Sequence, residues 1–354
     1  VIPHFGLQRQ YKQLKEELLD ATDKVLSSGT YLDGKYTNNF EDWLCKKTQS
    51  NYAVTVHSGT QALEIIADFV KINSRIYGYE NPTVILPNIS YPATLNAFLQ
   101  KDLDVNLFDT DKYGILSDDV PNLNFYCLVG LYGRKPWADI EFLDSPNVIV
   151  DGAQHWLVAD GNIGLGMSIS FDPTKNLPSS GNGGAIVTND LDLYNFALRY
   201  RNNGKPNFDF VGSNTKLSEH DCAHLLVRAN YIDFYQYRRE EIRKYYCSQL
   251  RDYVSCLSDS DIPHANQKFV LYSPEHRNDL HSHLMASGIE SKIHYDYTLG
   301  ELKTAETIKF KPNMMSISCM LTRGVLSLPI YPELTDGEVE FIAKSVKDFF
   351  TLHK

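Results

Sequence analysis

The sequence predicts an α/β protein: a large domain with a mainly parallel seven-stranded sheet between helices, then a smaller α+β C-terminal domain. Seven short apolar runs, at 52–56, 83–87, 104–108, 125–131, 147–150, 167–171 and 184–188, alternate with helical or loop segments. Several are nearly continuous in Val, Ile, Leu and Phe, as expected of strands covered on both faces of a parallel sheet. Past Leu217 the pattern turns helical and then mixed. The length of 354 residues suffices for both bodies.

In chain order, Tyr11, Leu14, Leu18, Ala21 and Val25 recur at helical spacing, and the Ser27–Ser28–Gly29 stretch is a suitable stop. Phe40, Trp43 and Leu44 mark a second helix over 39–47. The seven strands follow. A tyrosine- and arginine-rich helical segment runs to Leu250; then come the extended stretches KFVLYS (268–273), IESKIHY (289–295) and VLSLP (325–329). Helices near 275–287 and 336–350 complete the chain. The division is expected near Tyr231–Tyr237, giving residues 1–230 for the large domain and 231–354 for the small one.

Composition narrows the function. The net charge is −10 and there is no basic cluster, so the dense positive footprint that nucleic-acid binding requires is missing. No run approaches the roughly 20 apolar residues of a membrane-spanning helix, and the first residues lack the pattern of a secretory signal. The six cysteines are scattered without a CxxC pair, a spacing suited to free thiols in a reducing cytoplasm rather than to zinc or a disulfide framework.

Three segments place polar groups at the carboxyl ends of expected strands, where open α/β sheets bind ligands. In VTVHSGTQALEII (54–66) a strand runs through Ser58, Gly59 and Thr60 into a helix. The free N–H groups of that helix start form an anion site, and the same residues also suit an ordinary N-cap. In NVIVDGAQHW (147–156), Asp151 emerges from a buried strand as a functional carboxylate or a turn residue, and Gln154 is open in the same way. In MSISFDPTKNLPSSGNGGAIVTND (167–190), Ser170 ends a strand, Lys175 stands in the loop, and a glycine-rich turn follows. A lone loop lysine is usually solvated. Phosphate loop, aspartate and lysine together meet the needs of pyridoxal 5'-phosphate (PLP): donors for the phosphate, a carboxylate for the pyridine nitrogen, an amine for the Schiff base.

The chain resembles the DegT/DnrJ/StrS family of PLP-dependent sugar aminotransferases, with the fold-type-I architecture. The resemblance runs in family order through SSGTYLDGKYTNNFEDWL (27–44), SGTQAL (58–63), SYPATLNA (90–97), LYGRKP (131–136), VDGAQ (150–154), SFDPTKNLPSSGNGGAIVTND (170–190), RNNGK (201–205) and LSLPIYPELTD (326–336). It implies Lys175 and Asp151 as the catalytic pair: Lys175 carrying the cofactor as an aldimine, Asp151 partnering the ring nitrogen. It also implies Tyr91 stacked on the ring, Gln154 near the ring hydroxyl, and Ser58, Gly59, Thr60 and Ser170 on the phosphate. Asn214 corresponds to an asparagine that reaches a neighbouring subunit's phosphate, which implies a homodimer with a composite site. The implied reaction moves an amino group from an amino acid, L-glutamate by resemblance, through pyridoxamine phosphate to a nucleotide-linked keto-sugar.

The chain departs from the family pattern at the bulky His155 and Trp156, at Lys216 where arginine is common, at Asn182 where aspartate is common, and at Tyr79–Glu80–Asn81–Pro82. The related sugar dehydratases carry histidine at the position of Lys175, so lysine favours transamination. A cyclitol acceptor and a non-catalytic regulator with the same fold are the alternatives. GTYLDGKY (29–36) spells a P-loop spacing but follows a helix and lacks the next Ser/Thr; GNIGLGM (161–167) departs from the dinucleotide fingerprint. His281 and His283, two apart on a helix, point to different faces and make no metal pair.

Overall fold

The computed structural model describes residues 1–74, 80–117, 120–121, 124–136, 145–259, 261–313 and 316–353; Tyr79 of the departing turn lies outside them. Two helices open the chain, α1 (Leu7–Ser28) and α2 (Lys35–Thr48). The strands β1 (Tyr52–Val56), β2 (Thr83–Pro87), β3 (Asp104–Phe108), β4 (Phe125–Val129), β5 (Val148–Asp151), β6 (Gly166–Ser170) and β7 (Gly184–Thr188) then form one seven-stranded sheet in the order β1-β7-β6-β5-β4-β2-β3. All seven apolar runs became strands.

The pairs β2·β3, β2·β4, β4·β5 and β5·β6 are parallel, whereas β7 runs antiparallel to both β1 and β6. Only β7 is therefore reversed, and the carboxyl ends of the other six strands meet the start of β7 on one edge. Helices α3 (Gly59–Asn73), α4 (Pro92–Leu99) and α5 (Leu191–Tyr200) cover one face. There Ile65, Ile66 and Val70 pack with Val54, Val84 and Ile186. On the other face Phe40 and Leu44 of α2 and Leu225 of α6 (Glu219–Ala229) pack with Ile85, Val150 and Val187. Burial on both faces explains why these runs lack alternation.

The helical segment to Leu250 is two helices, not one: α6 packs on α1 and α2, while α7 (Ile232–Leu250) packs on the closing helix α10 (Asp336–Leu352). The break at Asn230–Tyr231 carries no proline or glycine. A second sheet holds β8 (Ser255–Cys256), β9 (Phe269–Tyr272) and β10 (Val325–Leu328) in the antiparallel order β10-β9-β8. Its core joins Leu271 and Leu326 to Ile242, Tyr246, Leu284, Ile342 and Val346, with α8 (Arg277–Ala286) alongside. Residues 289–295 form no ladder strand. They touch neighbours through two isolated bridges, Ile2↔Ile289 and Lys292↔Ser327. The short helix α9 (Ile317–Gly324) and strand β8 gave no usable pattern.

One buried carboxylate ties the start of α2 to α6. Glu219 accepts hydrogen bonds from the backbone N–H groups of Gly34, Tyr36 and Thr37 and from the Thr37 hydroxyl, and it is 2% exposed. It thus satisfies the orphan donors at the start of α2 from another helix. Gly34 is required there, since a Cβ would lie 2.7 Å from Glu219 Oε2. Glu219→Ala strands those donors in a buried site. It should lower the unfolding free energy by about 2–3 kcal/mol, read as a shifted denaturant midpoint with unchanged slope.

Candidate active site

At the carboxyl edge of the large sheet lies a cavity of about 410 Å³, a size ordinary for a cofactor pocket. Eight of the nine sequence-predicted site residues line it: Ser58, Gly59, Thr60, Tyr91, Asp151, Gln154, Ser170 and Lys175. Asn214 does not; it is exposed on the chain's own surface, held by an isolated bridge to Asn202.

The anion cradle follows from local sequence. Beyond the end of β1 stands Ser58, whose side chain accepts from Gln61 N and caps α3, leaving the N–H groups of Gly59 and Thr60 without intrahelical acceptors. Two glycines allow this turn to sit against the neighbouring strands. A Cβ on Gly59 would lie 2.7 Å from Ser170 Cβ, and one on Gly184 would lie 2.2 Å from the Ser58 carbonyl carbon. Ser170 is thereby pressed beside the start of α3. These donors fit a phosphate group.

Asp151 ends β5 and is 6% exposed. Thr94 Oγ1 donates to its Oδ2 at 2.7 Å, and Ala153 N donates to its Oδ1 at 3.1 Å. Ser90 lies 2.8 Å from Thr94 and extends the chain of hydroxyls. One carboxylate edge is thus fixed by α4. Gln154 is oriented by Tyr132 N, which donates to its Oε1 at 2.8 Å, while its Nε2 donates to the Tyr295 hydroxyl at 3.4 Å. Tyr91 caps α4 just before Pro92 and keeps its ring largely exposed at the cavity, 6.1 Å between centroids from Tyr295.

Lys175 stands in the turn after β6, held by its N–H donating to Asp172 O at 2.8 Å. Burial pulls its ammonium below the ordinary lysine range, against the carboxylates of Asp151 and Asp172. A lysine so placed surrenders its proton more readily than a solvated one, as a nucleophile or base requires. Among the described residues its ammonium makes no hydrogen bond or ion pair.

The DegT/DnrJ/EryC1/StrS aminotransferase family model matches residues 12–120 and 152–347. The chain belongs to that family. Among its relatives, the dTDP-3-amino-3,6-dideoxy-alpha-D-galactopyranose transaminase of Aneurinibacillus thermoaerophilus is 28% identical, with 99% of each chain covered. The solved structure of S. venezuelae DesV in complex with a ketimine intermediate superposes with a TM-score of 0.87 at 26% identity, covering 99% of this chain and 98% of that one. The structure of NtdA from Bacillus subtilis with bound cofactor PMP has the same fold, with a TM-score of 0.84 at 23% identity, covering 96% of this chain and 82% of that one.

The family departures have local reasons. His155 is fully buried against Gly130, where a Cβ would lie 1.9 Å from the imidazole Nδ1, so a bulky residue here is matched by a missing side chain opposite. Trp156 packs edge-on to Trp43 and Phe171 beneath α2. Lys216 pairs with Asp33 at 3.2 Å and donates to Asn202, and Asn182 lines the cavity. The GTYLDGKY stretch is the exit from α1 and entry to α2, with Gly29 as a left-handed C-cap and Gly34 as the N-cap.

The cavity also contains residues not anticipated from the sequence: Phe5, Lys268, Lys292, His294 and Tyr295. They come from the N-terminus and from segments around the small sheet, which no local pattern linked to the large-sheet motifs. Gly184→Ala should separate β7 from the Ser58 turn, costing about 1–3 kcal/mol of stability. Phosphate-containing ligands should bind the purified variant more weakly by calorimetry, with β-sheet content retained by circular dichroism.

Proposed function

We propose that the protein is a PLP-dependent aminotransferase that moves an amino group from an amino acid, L-glutamate by preference, to a nucleotide-linked keto-sugar. The observation that carries the proposal is the convergence of a desolvated lysine, a fixed carboxylate and an anion cradle on one cavity. PLP suits it: the α3 start with Ser58, Gly59, Thr60 and Ser170 would hold the phosphate, Asp151 the ring nitrogen and Lys175 the aldehyde carbon. Bound there, it supplies an electron sink for charge developing at the substrate α-carbon and carries the amino group between half-reactions.

The remaining chemistry belongs to the chain's own groups. Asp151, fixed by Thr94, would partner the ring nitrogen and hold a proton there. Gln154 would offer its amide to the ring hydroxyl, and Tyr91 would cover a ring face. With the cofactor bound, Lys175 would be the group placed to take a proton from the donor α-carbon and to return one, in either half-reaction. Its lowered proton affinity keeps the amine available, so the rate should rise with pH through the lysine's titration. Lysine rather than histidine at this position favours transfer over dehydration. The relatives named as sugar transaminases support the keto-sugar acceptor.

The exposed Asn214 supports a composite site in a homodimer, its amide reaching the phosphate of a second copy. Asn214→Ala should then weaken cofactor binding in the assembled dimer without changing the chain's fold.

Borohydride treatment of the PLP-loaded protein, followed by peptide mass mapping, should fix the cofactor on Lys175. Lys175→Ala should lose that label and fall in turnover by roughly 10²–10⁴-fold or more, while still binding pyridoxamine phosphate. A label on another lysine, or full activity in the variant, overturns the assignment; bound cofactor with no turnover on any amino donor favours a regulatory protein.

A further inference from the structure

Lys268 and Lys292 line the same cavity as Lys175 but come from other elements, Lys268 from the residue before β9 and Lys292 from the extended 289–295 segment. Lys268 is 4% exposed. Its backbone is fixed by donating to Tyr132 O at 3.0 Å, yet among the described residues its ammonium has no ion-pair or hydrogen-bond partner. The charges acting on it are the cations Lys175, Lys292 and Arg239, with Asp172 the opposing carboxylate. Phe5 lies under both ammonium groups, 5.7 Å from Lys268 Nζ and 5.1 Å from Lys292 Nζ to the ring centroid.

Such a group is expensive to keep. Burial first, then the neighbouring cations, push its proton affinity well below the ordinary lysine range, because a buried ammonium without a counter-ion loses its hydration and is repelled by its neighbours. A buried amine facing the cavity with no partner of its own suits an anion that arrives with the ligand and restores its charge. The phosphate cradle does not meet this demand with the lysines, since its donors are Ser58, Gly59, Thr60 and Ser170 on the large sheet. His294 adds no third charge: burial and the neighbouring Lys268 keep it neutral, and its Nδ1 sits 2.9 Å from the Ser327 hydroxyl.

We propose that Lys268 and Lys292 form a carboxylate subsite for the amino-acid donor, orienting its α-carbon toward Lys175. The inference rests on the aminotransferase reading and adds the residues that recognise the donor. Enclosure of Lys268 favours a small carboxylate over a nucleotide diphosphate, which needs a wider, solvated groove. The same lysines would have to be vacated for the acceptor half-reaction, so a donor analogue competes with the keto-sugar for the site.

The test uses the PLP-loaded full chain and glutarate, a dicarboxylate without an amino group, titrated by calorimetry. Lys268→Met keeps length and removes charge; Lys292→Met does the same at an exposed position, where folding is not at risk. The expected result is a loss of glutarate affinity of about 10–100-fold in Lys268→Met and a smaller loss in Lys292→Met. PLP affinity should stay within about 3-fold in both. Unchanged glutarate affinity in both variants overturns the proposal. So does a loss of PLP affinity without a loss of glutarate affinity, which would assign the lysines to the cofactor phosphate. Failure of the wild-type chain to hold PLP would instead remove the aminotransferase reading; the same titration on the cofactor-free chain then decides whether Lys268 binds a carboxylate.

Discussion

The close contact between Gly184 and the Ser58 turn is the constraint on which the site depends. β7 is the one reversed strand of the large sheet, inserted between β1 and β6. Its first residue therefore meets the last residues of its neighbours. Any side chain at Gly184 would overlap the Ser58 backbone, and any at Gly59 would overlap Ser170. Removing both lets the start of α3 descend onto the end of β6. That close approach turns an ordinary βα turn into a cradle of unpaired N–H and hydroxyl donors, because donors from two strands then point at one spot.

Electrostatics around that spot are divided by element. The large sheet brings donors and the carboxylate of Asp151, fixed by Thr94 from α4. The segments near the small sheet bring Lys268 and Lys292, beside a lysine-bearing turn. Burial lowers the proton affinity of Lys175 and of Lys268 in the same direction, yet the two differ in company. Asp151 and Asp172 both act to raise Lys175, whereas Lys268 is surrounded mainly by cations. Carboxylates thus oppose the loss of the proton at Lys175, whereas burial and neighbouring cations favour that loss at Lys268 until an anion arrives.

Much of this was legible in the sequence because it rests on local pattern. Strands buried on both faces are continuous apolar runs, so all seven were visible, and residues at and beyond their carboxyl ends fell on one cavity. Ser58, Asp151 and Lys175 could be found this way. The domain division was expected near Tyr231–Tyr237, but the separation into two helices was not visible, because α6 and α7 part by a change of packing partner rather than at a helix-breaking residue. The 289–295 segment looked like a strand from its composition, but strand pairing depends on a neighbour that only tertiary structure supplies. Lys268 and Phe5 were invisible for a related reason. A single lysine before an apolar run is normally solvated, and nothing local shows that 263 residues of chain fold back to bury it beside Phe5.

The most direct test of the central claim is the visible absorption of the purified wild-type chain with PLP, before and after addition of L-glutamate. The account predicts a bound visible chromophore that glutamate converts to the pyridoxamine form, with one equivalent of 2-oxoglutarate released per site. A chain that retains no chromophore after removal of free PLP would contradict it.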